Sequence, residues 1–154
     1  MIITPTSFDE LLSNLGTTLG MELSFDGDAC ELLLDGRWTL NIARVPEEGR
    51  IVLSSVVLDS LPEEISYTAL TDMLGYALNP LSGTGPALGL DPESDTLIAY
   101  VSIHLSRFEP GEFPGIIAKF MEFVIGQADR IGEEQTDADL NSIDLTASSD
   151  TLQV

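Results

Sequence analysis

Residues 23–42 read LSFDGDACELLLDGRWTLNI, with Asp-Gly at 26–27 and again at 35–36 and apolar residues crowded around both. Asp-Gly flanked by apolar runs signals a tight hairpin, because both residues tolerate positive φ. The pair at 35–36 predicts a two-residue turn between strands at 29–34 and 37–45, with another strand ahead of them at 22–26. Along 37–45, Trp38, Leu40 and Ile42 point one way, while Arg37, Thr39, Asn41 and Ala43 point the other. One face of this meander must therefore be covered. Leu32-Leu33-Leu34 places apolar groups on both faces, and Leu33 and Phe25 fit no one-sided hairpin. The second face calls for a partner, a long loop or a folded-back tail.

Working outward, Phe8, Leu11, Leu12, Leu15 and Leu19 recur at spacings of three and four, the stripe of an amphipathic helix. Ser7 and Glu10 form a capping box and Gly20 ends the helix, which is the nearest candidate to cover the meander. A fourth strand follows at 50–58, after PEEG. Leu61-Pro62-Glu63-Glu64 opens a second helix that reaches Leu78, with Leu70, Met73, Leu74, Ala77 and Leu78 as its apolar side, and Asn79-Pro80 closes it. The connector PLSGTGPALG leads to strands Ala87–Asp91 and Thr96–Arg107. The stretch LIAYV at 97–101 is apolar on both sides, which one covering layer does not explain. A third helix, about 112–132, is apolar around well over half its circumference, more than a surface helix needs. The order is α-β-β-β-β-α-β-β-α, an α+β layout of three helices against an antiparallel sheet. From Glu133 the chain reads EEQTDADLNSIDLTASSDTLQV, with six acids, no base and no aromatic residue. The expected organisation is one domain over 1–132 and a mobile acidic tail over 133–154.

A chain of 154 residues suits one domain with a true core. Its first residues lack a basic, apolar leader, and no apolar run is long enough to span a bilayer. Cys30 is the lone cysteine, so no internal disulfide or cysteine-based zinc site forms, and a reducing cytoplasm fits best. Against 26 acids stand six bases, for a net charge of −20. That balance leaves no basic patch for nucleic acid or anionic lipid. Such acidity keeps a protein soluble, keeps an apolar site from self-association, or attracts a basic partner.

Searches for catalytic chemistry end in structural explanations. His104 is the sole imidazole, sits within a strand beside Ile98, Tyr100 and Ser102 on one face, and has no GxSxG elbow to serve. GTGPALG at 83–89 follows a helix and lacks the Lys-Ser/Thr of a phosphate loop, so it reads as a connector. Asp137, Asp139, Asn141 and Asp144 resemble the start of a calcium loop, but Ser142 replaces its glycine and Ser148 its glutamate. Glu47-Glu48 lies in a turn and Glu63-Glu64 in the first turn of a helix. No enzyme, metal site or cofactor is expected.

The sequence resembles the class I type III secretion chaperones, small acidic cytoplasmic proteins that escort effectors to a bacterial secretion apparatus. The resemblance rests on LLSNLGTTLGMELSFDGDACELLLDGRWTLNI, on the helix TALTDMLGYALNPLSG and on ALGLDPESDTLIAYVSIHL, in order over residues 5–132. It implies a twisted antiparallel sheet with three helices, forming a homodimer through Leu70, Met73 and Leu74 of the second helix and Ile98 and Tyr100 of the late strands. It also implies that the extended N-terminal segment of an effector adds a strand and fills grooves involving Leu11, Leu15, Phe25, Leu33 and Trp38. A competing reading from the charge is an acidic regulatory protein that mimics nucleic acid.

Overall fold

The computed structural model describes residues 7–83 and 85–132. The expected acidic tail and the calcium-loop-like Asp137, Asp139, Asn141 and Asp144 lie outside the described residues. The elements run α1 (Phe8–Leu19), β1 (Ala29–Leu34), β2 (Trp38–Val45), β3 (Arg50–Leu58), α2 (Tyr67–Tyr76), α3 (Asn79–Ser82), β4 (Ala87–Asp91) and β5 (Thr96–His104). A last helix, α4, spans 113–132. The strands form one antiparallel sheet in the order β1-β2-β3-β5-β4. Among the described residues no helix is long and apolar enough to cross a membrane.

The first helix begins as its sequence demands: Ser7 Oγ accepts the Glu10 N–H at 3.1 Å, and Gly20 takes the left-handed conformation that ends the helix. Leu11, Leu12 and Leu15 are buried in one core with Leu32, Leu40, Ile42, Ile51 and Leu53 of the sheet. The other cover is α4, which adds Phe113, Ile117, Phe120, Met121 and Val124 to that core. Its broad apolar surface is used twice, because Phe123 also meets Tyr76 of α2 edge to face at 5.2 Å. Ser55 is the one polar residue on the buried face of β3, and its hydroxyl donates to the Thr39 carbonyl at 2.7 Å.

Four expectations need correction. Residues 22–26 form no strand, only a bridge between Asp26 and Ala29, so the sheet has five strands and the order is α-β-β-β-α-α-β-β-α. Just beyond it, Arg44 of β2 braces the turn at Gly27-Asp28 through the Asp28 carboxylate at 3.1 Å and the Gly27 carbonyl at 2.9 Å, with its guanidinium 4.7 Å from the Phe25 ring. The hairpin between β1 and β2 has positive φ at Asp35 and Gly36 as expected, but Leu34 pairs with Trp38, so three residues make the connection. A two-residue loop would have set Glu31 opposite Leu40 on the buried face. The second helix starts at Tyr67, capped by Ser66 at 3.0 Å to the Ala69 N–H, so Glu63-Glu64 precedes it rather than lying in its first turn. Asn79-Pro80 opens another helical turn, α3, instead of closing the helix, since proline suits a first helical position.

Gly16 and Gly126 give opposite expectations. A methyl group on Gly16 would overlap the Met21 carbonyl oxygen, while one on Gly126 in α4 meets nothing. Urea denaturation should show Gly16→Ala destabilised by about 1–3 kcal/mol and Gly126→Ala stabilised by roughly 0.5–1 kcal/mol.

Candidate partner-binding surfaces

With α1 and α4 on one face of the sheet, the opposite face is carried by Glu31, Leu33, Thr39, Asn41, Val52, Ser54, Val56, Ile98 and Tyr100, none of which is buried. The chain order also leaves β1 and β4 as edges, each with one side unpaired among the described strands. Leu33 stands on this open face of the β1 edge, 65% exposed, opposite Thr39. An apolar side chain on a strand with free backbone donors and acceptors suits the addition of another extended chain.

The residues implied for effector binding are not brought together on one surface. Leu11 and Leu15 are wholly buried, because the helical spacing that made them visible serves the core beneath α1. Trp38 is 8% exposed on the inner face, with the Arg37 guanidinium 4.5 Å above its ring. Phe25 is half-buried between the edge of Phe8 at 6.4 Å and the Arg44 guanidinium at 4.7 Å. Of the five, Leu33 is the open one. Beside α1, a second concavity lined by Leu12, Gly16, Met21 and Leu23 runs along the unpaired stretch that follows the helix.

The residues implied for self-association divide differently. Met73 is 7% exposed and belongs to the core, whereas Leu70 and Leu74 project outward, Leu74 at 63% exposure. Ile98 and Tyr100 share the open sheet face. The sequence treated α2 as having one apolar side, but it has two. Ala69 and Met73 face inward, and Tyr67, Leu70, Leu74 and Leu78 form an exposed stripe at spacings of three and four that continues to Leu81. The inward side is fastened to α4 by Arg130, which donates to Asp72 at 2.8 Å and to Gln127 at 2.7 Å.

A concavity of about 870 Å³ opens where α3 meets β5, lined by Arg50, Asn79, Tyr100, Ser102, His104 and Arg107 among others and by no carboxylate. Arg50 and His104 are cross-strand partners. Their separation in sequence concealed this grouping. The His104 Nδ1 accepts the Ser106 N–H at 3.2 Å and lies 2.8 Å from the Ser106 hydroxyl, an arrangement that holds the ring against the end of its strand. Ser106 thus brings a hydroxyl within reach of the imidazole, but no carboxylate lines the concavity to orient the pair as a triad requires.

The chain matches the sequence profile of the Tir chaperone protein (CesT) family over residues 10–126, and it belongs to that family. No curated protein sequence matches the chain. Solved structures do. A chain of the HopA1–SchA chaperone–effector complex is 26% identical, covers 81% of this chain and 99% of its own, and superposes with a TM-score of 0.64. A chain of the ExsC–ExsE complex is 14% identical over 84% of this chain and 97% of its own, with a TM-score of 0.66. The Yersinia pestis type III secretion chaperone SycH, solved with a stable fragment of YscM2, gives 19% identity, 81% and 99% coverage and a TM-score of 0.61. The last two share the fold with this chain.

Cys30 lies on the buried face of β1, 6% exposed, and burial pushes its thiol pKa up from the ordinary value. Both effects suppress thiolate chemistry. Alkylation by iodoacetamide in native buffer should run at least about tenfold slower than in urea; equal rates would place Cys30 at the surface.

Proposed function

We propose that this protein is a type III secretion chaperone that works in the bacterial cytoplasm as a homodimer and holds the extended N-terminal segment of a secreted effector. Residues 1–132 make the chaperone domain in this reading, and 133–154 are an acidic appendage. Membership of the CesT family supports it, as does the similarity to a chain of a chaperone–effector complex. The observation that carries it is the open side of the molecule: an uncovered sheet face, an apolar residue on the free edge at Leu33, and the stripe Tyr67, Leu70, Leu74 and Leu78. Surface of this kind serves to hold another chain and asks for no nucleotide, metal or catalytic group.

The division of labour follows from shape. A helical stripe with i, i+3, i+4 spacing packs against a second rigid surface, which suits the same stripe of a twin subunit together with Ile98 and Tyr100. An edge strand suits an unfolded client, because backbone hydrogen bonds form with little demand on sequence and side-chain pockets set the choice. Ordering that client costs a few kcal/mol, which apolar burial must offset. The net charge of −20 keeps such surfaces from sticking to one another at random.

Two substitutions separate these roles. Leu33→Asp should leave the assembly intact and weaken binding of an effector N-terminal segment at least about tenfold by calorimetry, since it places a charge where an apolar side chain would be covered; undiminished affinity would remove β1 from the client site. Leu74→Asp should convert a dimer to a 16.6 kDa monomer in light scattering with the fold retained. A native chain that is already monomeric at micromolar concentration would reject the proposed twin subunit.

A further inference from the structure

The open part of the β1 edge is shorter than the strand. Asp26 and Ala29 exchange both of their backbone hydrogen bonds, at 2.8 and 3.3 Å, so the groups that Ala29 turns away from β2 are already used. Along a strand paired without a bulge, alternate residues bond to the neighbour and to the outside, and β1 keeps unbroken register with β2 from Ala29↔Ala43 to Leu34↔Trp38. Glu31 and Leu33 therefore turn their N–H and C=O groups outward with Ala29, while Cys30, Leu32 and Leu34 turn theirs to β2. The Asp28 carbonyl, which accepts the Arg44 N–H of β2 at 2.8 Å, agrees with this parity. Beyond Leu34 the chain reverses through Asp35 and Gly36, both at positive φ. What remains free is the backbone of Glu31 and Leu33, about 7 Å apart and closed at one end by the Asp26 bridge and at the other by the turn.

The side chains of Glu31 and Leu33 stand exposed on the uncovered face. Glu31 faces Asn41 across the pair and makes no ion pair among the described residues. Every pair in this sheet is antiparallel. A further strand added the same way sets one residue directly opposite Leu33 and the second residue after it directly opposite Glu31, each with its Cβ about 5 Å from its partner on the same face. An apolar side chain at the first place covers Leu33. A lysine or arginine at the second neutralises Glu31, whereas an acid there meets both Glu31 and a net charge of −20. A slip by two residues sets the newcomer against Ala29, whose groups are taken, or against the turn, so the register is fixed. From backbone parity and charge together, we infer that the β1 edge selects its client by a three-residue pattern, an apolar residue, any residue, then a basic one, with Leu33 and Glu31 setting the choice. This rests on the client reading and adds to it the chemistry of the stretch that docks. Two strands separate β1 from β5, a distance of about 14 Å, so the docked strand leaves Ile98 and Tyr100 to the twin subunit.

The test is a random dodecapeptide library displayed on phage and panned on the full chain. Peptides with the apolar, any, basic pattern should be enriched, and on Glu31→Lys the third place should turn acidic. Glu47→Lys makes the same change of net charge in an exposed turn away from β1 and should leave the pattern as it was. By fluorescence anisotropy, a synthetic peptide carrying the selected pattern should bind Glu31→Lys about three- to tenfold more weakly. Exchanging the basic residue of that peptide for glutamate should recover the loss. A methyl group on the peptide nitrogen of its apolar or basic residue, whose N–H faces β1, should weaken binding at least about tenfold, and one on the residue between them should not. Enriched peptides without the pattern, a pattern indifferent to Glu31→Lys, or tolerance of the methyl group at both outer places would overturn the inference and leave client holding intact. A library from which no peptide is enriched would overturn both.

Discussion

The pairing of Cys30 with Ile42, Leu32 with Leu40 and Leu34 with Trp38 is the constraint on which the rest of the molecule rests. These six side chains set which face of the sheet meets α1 and α4. A shift by one residue would turn Glu31 toward the helices and Leu32 away from them, since the side-chain period of a strand is two. The three-residue connection Asp35-Gly36-Arg37 fixes the parity, and positive φ at both Asp35 and Gly36 makes the reversal sharp enough. The same register sends Leu33 to the uncovered side.

Much of this was legible because it depends on neighbours in sequence. The limits of α1, the hairpin site, the alternation of β2 and the pairing of β4 with β5 all follow from caps, turns and short periods. What escaped depended on distant parts of the chain. Nothing local in 22–26 distinguishes a strand from irregular extended chain; what decides it is that, apart from the Asp26–Ala29 bridge, no strand of the sheet pairs with it. Leu70 and Met73 have the same apolar character on paper, and only the packing of α2 against the rest of the domain makes one a surface residue and the other core. The family resemblance points to Trp38, Leu11 and Leu15 as groove residues by their place on the first helix and early strands, but large apolar side chains there serve a core equally, and these three are buried.

Acidity and apolar exposure work together here. The open stripe and the Leu33 edge would invite indiscriminate association on a neutral protein, whereas a strongly negative one meets its own kind reluctantly and only where complementary shape overcomes the repulsion. The few basic groups are correspondingly placed. Arg44 and Arg130 fasten elements to one another, Arg37 shields the Trp38 ring, and Arg50 and Arg107 are gathered at one hollow.

The anchoring of α2 has a consequence for the whole molecule. Of its ten residues only Ala69 and Met73 are buried, and the Arg130 guanidinium supplies its ion pair to the rest of the domain. A segment so lightly held gains its remaining rigidity from whatever covers Leu70 and Leu74. For a molecule built this way, any partner that binds the stripe steadies α2 as well, and by mass action its concentration adds to the stability of that helix without deciding whether the rest of the domain folds.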